Sequence, residues 1–331
     1  MNRWPNKPRD HATQFNLNGQ GEISCPRLRD RNDSDGMGMT VKRQWLLRLA
    51  DYWTLTKPEV NFLVLVSTLV GFYLASRGPL DLSRLFHTLM GTLLVASGTG
   101  TLNQYLERQS DKHMRRTANR PLPSGRLAPA EALGFGILLA ALGGWELWVF
   151  TNPLASKLAL LTLGAYLLFY TPLKKKTPFC TLVGAFPGAM PPLIGWAAVR
   201  NSLGLDAWAL YAILFLWQFP HLLAIAWMYR EDYARAGLQM LPRNDLRGRT
   251  TVRQILVYSL VLIPASLMPA FLGQAGKAYL VGALVLGLVF LHYGVRLAIH
   301  RTNSLARRLV LASIVYLPLV FALLMVDKTR C

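Results

Sequence analysis

Three oxygen-bearing side chains recur at helical spacing in the first half of the chain. Asn103, Glu107 and Asp111 stand four residues apart, so on a helix they line one face over about 12 Å. Proteins often bind Mg²⁺ through one or two carboxylates together with the phosphates of a substrate. The row therefore predicts a magnesium site with these three residues as ligands, and Asp111 as a catalytic residue.

Basic residues follow this row directly, namely Lys112, Arg115, Arg116 and Arg120. Guanidinium groups form charge-assisted, bidentate hydrogen bonds to phosphate, so the sequence predicts diphosphate contacts for the three arginines. Taken alone, the basic residues fit equally well a solvated loop that only sets the topology.

A later loop repeats the same order of charges. Glu231 and Asp232 stand at a predicted helix end and are followed by Arg235, Arg243, Arg247 and Arg249. Two such loops, four apolar runs apart, predict an approximate internal duplication whose halves meet at one site. Acidic clusters on both sides of a metal-bridged diphosphate could ionise an allylic ester, because metals neutralise the leaving group and aromatic faces stabilise a carbocation.

The elements that must position these loops are long apolar runs. The chain has 331 residues, of which 52% are hydrophobic and only 16% charged, against about 25% charged in an average soluble domain. Each run is long enough to cross about 30 Å of hydrocarbon as a helix. The sequence thus predicts an all-α, polytopic membrane protein with nine transmembrane helices, near residues 60–76, 85–106, 131–150, 156–172, 179–199, 206–229, 252–272, 278–299 and 307–326.

The net charge of +19 belongs to the connections between these runs, which argues for a membrane protein over a nucleic-acid binder. With a cytoplasmic N-terminus, 29 of the 36 lysines and arginines fall on the cytoplasmic side, as the positive-inside rule requires. We therefore expect a disordered, polar cytoplasmic tail at 1–50, a transmembrane domain at 51–331, and the charged loops on the cytoplasmic face. Three cysteines without metal-ligand spacing predict neither a zinc site nor a disulfide framework.

Several residues within the runs are further candidates for substrate contact. His221 is an intramembrane histidine, which is a functional candidate by default, and could contact a substrate or only a neighbouring helix. Tyr105 and Trp217 could line a carbocation region. The glycines and prolines between Gly184 and Gly195 should break the fifth helix, shaping a cavity or only a kink.

Three segments resemble the signature regions of the UbiA superfamily of intramembrane prenyltransferases. They are NQYLERQSDKHMRRTANRPLPSGR, YTPLKKKTPFCTLVGAFPGAMPPLIGWAA and WQFPHLLAIAWMYREDYARAGLQMLP. The similarity runs from about Leu55 to Val326 and is closest to the branch that farnesylates protohaem. Many members have Asp at the positions of Glu107 and Gln109. The wider superfamily has a second acid where Ala236 stands, and this departure favours haem as acceptor over a quinone precursor.

The resemblance implies a UbiA-like fold and a reaction between farnesyl diphosphate and the 2-vinyl group of haem B, with Mg²⁺ as cofactor. Asp232, the second implied catalytic residue, would hold metal with the first acidic row. Glu231 is adjacent, so on a helix it points about 100° away, and we expect it to pair with Arg230 or Arg235. The resemblance further implies a bacterial inner-membrane location and a downstream haem-modifying or oxidase-assembly partner. The implied diphosphate ligands are Arg115, Arg116, Arg120, Lys174, Lys175 and Arg230.

Two other functions remain open from the sequence. A prenyltransferase of the same fold could act on an aromatic acceptor or a chlorophyllide. A transporter would be expected to carry ionisable residues near the middle of its spans, and no Asp or Glu stands there.

Overall fold

The structure is a computed structural model that describes residues 33–242, 245 and 247–329, with side chains described from Gln44 onward. The chain divides into two compact units, Met1–Trp45 and Leu46–Cys331. Over the described residues the secondary structure is helical, without strands. The helices are α1 (Asp33–Thr56), α2 (Pro58–Ala75), α3 (Leu82–Asp111), α4 (Pro129–Phe150), α5 (Pro153–Gly164), a π-helix (Ala165–Tyr170), α6 (Thr171–Leu173), α7 (Cys180–Gly188), α8 (Pro191–Arg200), α9 (Leu205–Met228), α10 (Arg230–Arg235), α11 (Arg249–Phe271), α12 (Lys277–His300) and α13 (Asn303–Val326).

The prediction of an all-α protein with nine membrane spans is confirmed. Among the described residues, nine helical stretches are long and apolar enough to cross a bilayer. Large apolar side chains on them are exposed, for example Leu168 at 71% and Phe271 at 77%. Such exposure would destabilise a protein in water but costs nothing against lipid tails, so the spans form a multi-pass membrane protein.

The predicted tail at 1–50 stays a prediction, because residues 1–32 lie outside the described part of the chain. From Asp33 the chain is helical in α1, so the structure places a helix over the end of the segment predicted to be disordered. The residues from Trp45 to Trp53 include several large apolar side chains, and these favour a helix over a solvated coil.

Glycines set the distance between α3 and α4. A Cβ added at Gly98 would stand 2.8 Å from the carbonyl oxygen of Gly136, and one added at Gly143 would stand 2.6 Å from that of Gly91. Only glycine permits this backbone approach, which is the way helices commonly pack in lipid. The close packing fixes α3, the helix that carries the acidic row.

The fifth span is broken, as predicted. Helix α7 ends at Gly188 and α8 begins at Pro191, whose missing N–H suits a first helical turn. The Gln218 amide of α9 lies against Gly188 and donates a 3.2 Å hydrogen bond to the carbonyl of Ala185. The break therefore accommodates a polar side chain from the next span.

Two local features were not predicted. The fourth span contains the π-helix, a rare conformation that often marks functional sites. Helix α3 continues to Asp111, beyond the predicted end at residue 106, so the whole acidic row lies on one continuous helix.

Candidate active site

The acidic row forms a buried ladder of three polar pairs at the end of α3. Each α3 side chain is hydrogen-bonded to a cation from a different part of the chain. In the first pair, the ammonium of Lys57 donates to Asn103 Oδ1 at 2.9 Å. The Asn103 amide in turn donates to Thr171 Oγ1 at 3.1 Å, which fixes its orientation.

Lys57 occupies an unusual position between α1 and α2. Its φ of 54° lies in the left-handed region, which costs a non-glycine residue about 1–2 kcal/mol. Gln104 of α3 holds the preceding turn by donating to the carbonyls of Thr54 and Leu55. Burial, and next the positive charge of Arg120, lower the pKa of Lys57 to about 7.

The second pair is a buried salt bridge. Lys174 Nζ and Glu107 Oε1 are 2.8 Å apart, and each side chain is 11% exposed. Burial works against the charged form of Lys174, but Tyr170 and Glu107 hold its pKa well above the usual value. The ammonium also lies 4.4 Å from the ring centroid of Tyr170 and 5.9 Å from that of Tyr166, so the π-helix presents two aromatic faces to this pair.

The third pair leaves one carboxylate oxygen available. Arg120 donates to Asp111 Oδ2 at 2.8 Å, and the Asp111 side chain is 1% exposed. The other oxygen, Oδ1, is buried and has no hydrogen-bond partner among the described residues. A buried carboxylate oxygen without a partner is costly, and a bound cation would satisfy it.

The donor set fits a magnesium ion that is shared with a substrate. No group of three His, Cys, Asp or Glu side chains in the described part of the chain could hold a metal by itself. Mg²⁺ does not require such a cage, because it retains waters and uses substrate phosphates as ligands. Asp111 Oδ1 and, one turn away, Glu107 are the protein oxygens that fit this role. The ladder itself carries two carboxylates beside the cations Lys174 and Arg120, and Lys57 adds a third cation when it is protonated, so the ladder is suited to an anionic ligand.

A second acidic region, residues 229–240, lies beside the first, residues 103–120. The Arg116 guanidinium stacks 5.1 Å from the ring centroid of Tyr229. The backbone N–H of Gln239 donates to the carbonyl of Lys174 at 2.6 Å, and its side chain to that of Lys175 at 3.1 Å. The structure thus brings together the three loops that the sequence singled out.

A small apolar cluster packs beneath these loops. Its buried members come from the loops and from the spans beneath them: Met114, Tyr170, Cys180, Ala226, Leu238 and Met240. Tyr233 of α10 packs against it, and burial raises the pKa of its phenol. The loops are therefore held in position by packing as well as by charge.

The expected pairing of Glu231 was wrong. Arg235 forms its ion pair with Asp232, three residues earlier in α10. Arg230 donates to the carbonyl of Trp227 and to Asn303 Oδ1, both at 2.9 Å, and stacks on the Trp227 ring. The side chain of Asp232 is 13% exposed whereas Glu231 is exposed, because neighbouring helical residues point about 100° apart.

The predicted diphosphate ligands divide into three groups. Arg120 and Lys174 are part of the ladder. Arg115 and Lys175 are exposed, and Arg116 is exposed next to Tyr229. The contacts described for Arg230, given above, lead to the start of α13 and not to the ladder.

The aromatic and histidine candidates lie away from the ladder. His221 Nδ1 is 2.7 Å from Ser313 Oγ, and its ring stacks on Trp217 at 4.8 Å. Trp217 Nε1 donates to the carbonyl of Ser313 at 2.8 Å. Tyr105 stands two residues from Asn103, so it points to the other side of α3, where it packs on a cluster formed by Leu55 and three other residues.

Sequence reasoning missed Lys57, Thr171 and the two tyrosines of the π-helix as site residues. A basic residue at a membrane-helix entry gives no sign of its partner 46 residues away. The Tyr166–Tyr170 spacing of four residues was a signal that could have placed both rings near Lys174.

Comparison with known proteins gives consistent matches. A sequence model described as the UbiA prenyltransferase family matches residues 64–321. A protein of Solibacter usitatus named protoheme IX farnesyltransferase is 52% identical over 289 residues, which is 85% of this chain and 99% of the relative. Proteins with the same name from Salinibacter ruber and Myxococcus xanthus are 45% and 44% identical, over 84% of this chain and 99% and 95% of theirs.

Solved structures share the fold. A digeranylgeranylglyceryl phosphate synthase superposes with a TM-score of 0.71 at 18% identity, covering 84% of this chain and 98% of its own. A UbiA homologue from Archaeoglobus fulgidus, solved with GPP and Mg²⁺, gives a TM-score of 0.57 at 16% identity, covering 83% of this chain and 99% of its own.

Proposed function

The chain belongs to the UbiA prenyltransferase family, and we propose that it transfers the farnesyl group of farnesyl diphosphate to the 2-vinyl group of protohaem IX (haem B), giving haem O. The observation that carries the proposal is the buried ladder on α3, which offers cations to an anionic ligand and a carboxylate oxygen, Asp111 Oδ1, to a metal ion shared with that ligand. The names of relatives up to 52% identical over nearly their whole length support the choice of farnesyl and haem.

The chain's own cations bind the leaving group. Lys57, Lys174 and Arg120 come from three segments and converge on α3, so they surround a diphosphate from several sides. Arg115, Arg116 and Lys175 are exposed at the rim and can close on the outer phosphate by charge-assisted hydrogen bonds. For Arg230 to bind the diphosphate, its guanidinium would have to break the hydrogen bond to Asn303.

Asn103, Glu107, Asp111 and Asp232 would hold Mg²⁺, which would neutralise charge on the departing diphosphate. One carboxylate oxygen of Glu107 accepts a hydrogen bond from Lys174, and one of Asp111 accepts from Arg120. Both carboxylates are therefore oriented before a ligand binds. Asp232 has to exchange its local partner, Arg235, for this role.

The reaction balances with water as the third reactant, beside farnesyl diphosphate and haem B. The bond between farnesyl C1 and the diphosphate oxygen breaks, and C1 bonds to the terminal carbon of the vinyl group. Water adds to the carbon next to the porphyrin and loses a proton, which yields the hydroxyethylfarnesyl side chain. Tyr166 and Tyr170 present ring faces beside Lys174, where they can stabilise positive charge on the allyl group.

His221 and Trp217 stay candidates for contact with haem or the prenyl chain. Their rings stack on each other and are held by Ser313, so they form a rigid aromatic wall within α9. Tyr105 is a weaker candidate, because it packs on the opposite face of α3 from the ladder.

We place the protein in the bacterial cytoplasmic membrane with its N-terminus and the ladder on the cytoplasmic side. The distribution of lysine and arginine, 29 of 36 on that side, supports this orientation. The haem product would pass to a haem-modifying or oxidase-assembly protein in the same membrane.

The test uses the purified full-length protein in lipid, supplied with haem B, farnesyl diphosphate and Mg²⁺. Extracted pigment should gain the mass of one farnesyl group plus one hydroxyl group. Omission of farnesyl diphosphate or addition of excess EDTA should abolish the gain. Prenylation of a hydroxybenzoate or a chlorophyllide with no change in haem would show that the acceptor is wrong, and no prenylation of any acceptor would refute the function.

A further inference from the structure

A groove runs between α12 and α13, on the outside of the helical bundle. It has a volume of about 500 Å³. Its walls include Val289 of α12 and Leu311 and Val315 of α13, which are 50%, 55% and 56% exposed. Its floor is formed by Phe290 and Tyr316, which are buried and stacked at 5.2 Å. The groove therefore faces the lipid and has a rigid aromatic base.

The groove spans one leaflet. On α12, Leu286, Val289, Tyr293 and Arg296 line it at helical spacing, so they form one stripe along the helix. The ten steps along the helix from Leu286 to Arg296 cover about 15 Å at 1.5 Å per residue, which is half of the roughly 30 Å hydrocarbon core. This length matches one acyl chain.

Two arginines stand at the mouth of the groove. Arg296 is one turn before the end of α12, Arg308 lies in the second turn of α13, and both line the groove. Both are exposed, and neither has an ion pair or hydrogen bond with another described residue. By contrast, Arg301, in the turn between the helices, donates to the carbonyls of Ala298 and Arg247.

The charge around this mouth is one-sided. From residue 246 to residue 326 the sequence has no Asp or Glu, so the chain supplies no nearby acid along α11, α12 and α13. An apolar, leaflet-deep groove with unpaired guanidinium groups at the level of the headgroups is complementary to a lipid phosphate, since arginine binds phosphate bidentately.

We propose that this groove binds one anionic phospholipid, with an acyl chain between α12 and α13 and the phosphate on Arg296 and Arg308. The site is separate from the ladder on α3 and does not depend on the proposed function. The outward-facing, half-exposed walls favour a bilayer lipid over haem, and the absence of acids in this part of the sequence gives a second copy of α11–α13 nothing to pair with the arginines.

The experiment measures lipid retention by the full-length protein. The protein is reconstituted in equal amounts of phosphatidylglycerol and phosphatidylcholine, extracted in mild detergent, and analysed for bound lipid by native mass spectrometry. We expect the unaltered protein to retain more phosphatidylglycerol than phosphatidylcholine. In the double variant Arg296→Gln/Arg308→Gln, the ratio of retained phosphatidylglycerol to phosphatidylcholine should fall by about tenfold. Equal retention of both lipids by the unaltered protein would refute the site.

Matched variants separate the groove from surface charge in general. Arg307→Gln removes a charge next to Arg308 that does not line the groove, so retention should stay within about twofold. Val289→Trp and Ala312→Phe fill the groove while keeping both arginines, and each should lower retention. If Arg307→Gln is as damaging as the double variant, or if neither filling variant has an effect, the proposal fails.

Competition identifies the occupant. Excess inorganic phosphate and glycerophosphoglycerol, which lack acyl chains, should not displace the lipid. Displacement by either would show that the arginines bind phosphate at the surface and that the groove does not bind an acyl chain. Displacement by haem B would assign the groove to the acceptor instead. A shift to dimers on delipidation that Arg296→Gln/Arg308→Gln abolishes would assign it to a second copy.

Discussion

The two acidic regions have the same order of charges in sequence but different structures. In the first, Asn103, Glu107 and Asp111 are buried on a long helix and paired with cations 46, 67 and 9 residues away. In the second, Asp232 lies on a six-residue helix and pairs with Arg235, three residues away. One region is assembled by the tertiary fold and the other by its own local sequence.

This difference indicates separate roles for the two acidic regions. The ladder has its charges oriented without a ligand, so it can recognise a diphosphate at little cost in reorganisation. The second region can join the site only by breaking a surface ion pair, and such pairs contribute about 0–1 kcal/mol. We expect the first region to dominate turnover and the second to tune substrate binding.

Asp111→Asn should have the largest effect. It keeps the volume but removes the charge from the buried Oδ1 that has no partner among the described residues, so turnover should fall by about 10³-fold, near the upper range for one preorganised electrostatic group. Haem O formation by the purified variant measures this. Gln109→Ala, at an exposed position of α3, is the control, and normal turnover by Asp111→Asn would remove the proposed metal role.

Lys174→Ala should be next, with about a 10²-fold loss of turnover and a lower unfolding temperature. It leaves Glu107 buried without its cation, and breaking such a pair typically costs 3–5 kcal/mol. Lys175→Ala, one residue on and exposed, should change both within about threefold. The double variant Lys174→Ala/Glu107→Gln should recover stability but not turnover, and recovery of both would make the pair purely structural.

Lys57→Gly tests the third cation without straining the backbone, because glycine adopts the left-handed conformation freely. Loss of a charge-assisted hydrogen bond of about 1.5–3 kcal/mol predicts a 10- to 100-fold fall in kcat/KM for farnesyl diphosphate, with unfolding temperature unchanged or higher. Lys57→Arg should keep most of the activity. An inactive Lys57→Arg beside an active Lys57→Gly would exclude a role for the charge.

Asp232→Ala should have the smallest effect, about fivefold in kcat/KM, mostly through weaker farnesyl diphosphate binding. Stability should change by less than about 1 kcal/mol, because the ion pair that it removes is at the surface. Glu231→Gln, its exposed neighbour, should be milder still in steady-state kinetics at saturating Mg²⁺. A dead Glu231→Gln with a nearly normal Asp232→Ala would show that the register of α10 is misassigned.

Much of the fold followed from local rules. In the described part of the chain, nine apolar runs of sufficient length correspond to nine helical membrane spans, and the prolines and glycines between Gly184 and Gly195 broke the fifth. The acidic row was recognisable because its spacing matches the helical repeat. The π-helix was not predictable, because it depends on packing within the bundle and not on hydropathy. Hydropathy alone ended the second span at residue 106, although the spacing of the acidic row already implied a helix through Asp111.

The sequence by itself determined the membrane class, the concentration of lysine and arginine in the connections between the spans and the identity of the acids on α3, since these depend on composition and on spacing along one helix. Only the tertiary structure decided which cation meets which acid. Lys57 and Lys174 lie far from their partners along the chain, and their pairing depends on how α2, α3 and the π-helical span pack. It also decided that Asp232 pairs locally and that Arg296 and Arg308 share a groove, because side chains from separate helices meet only after the bundle has formed.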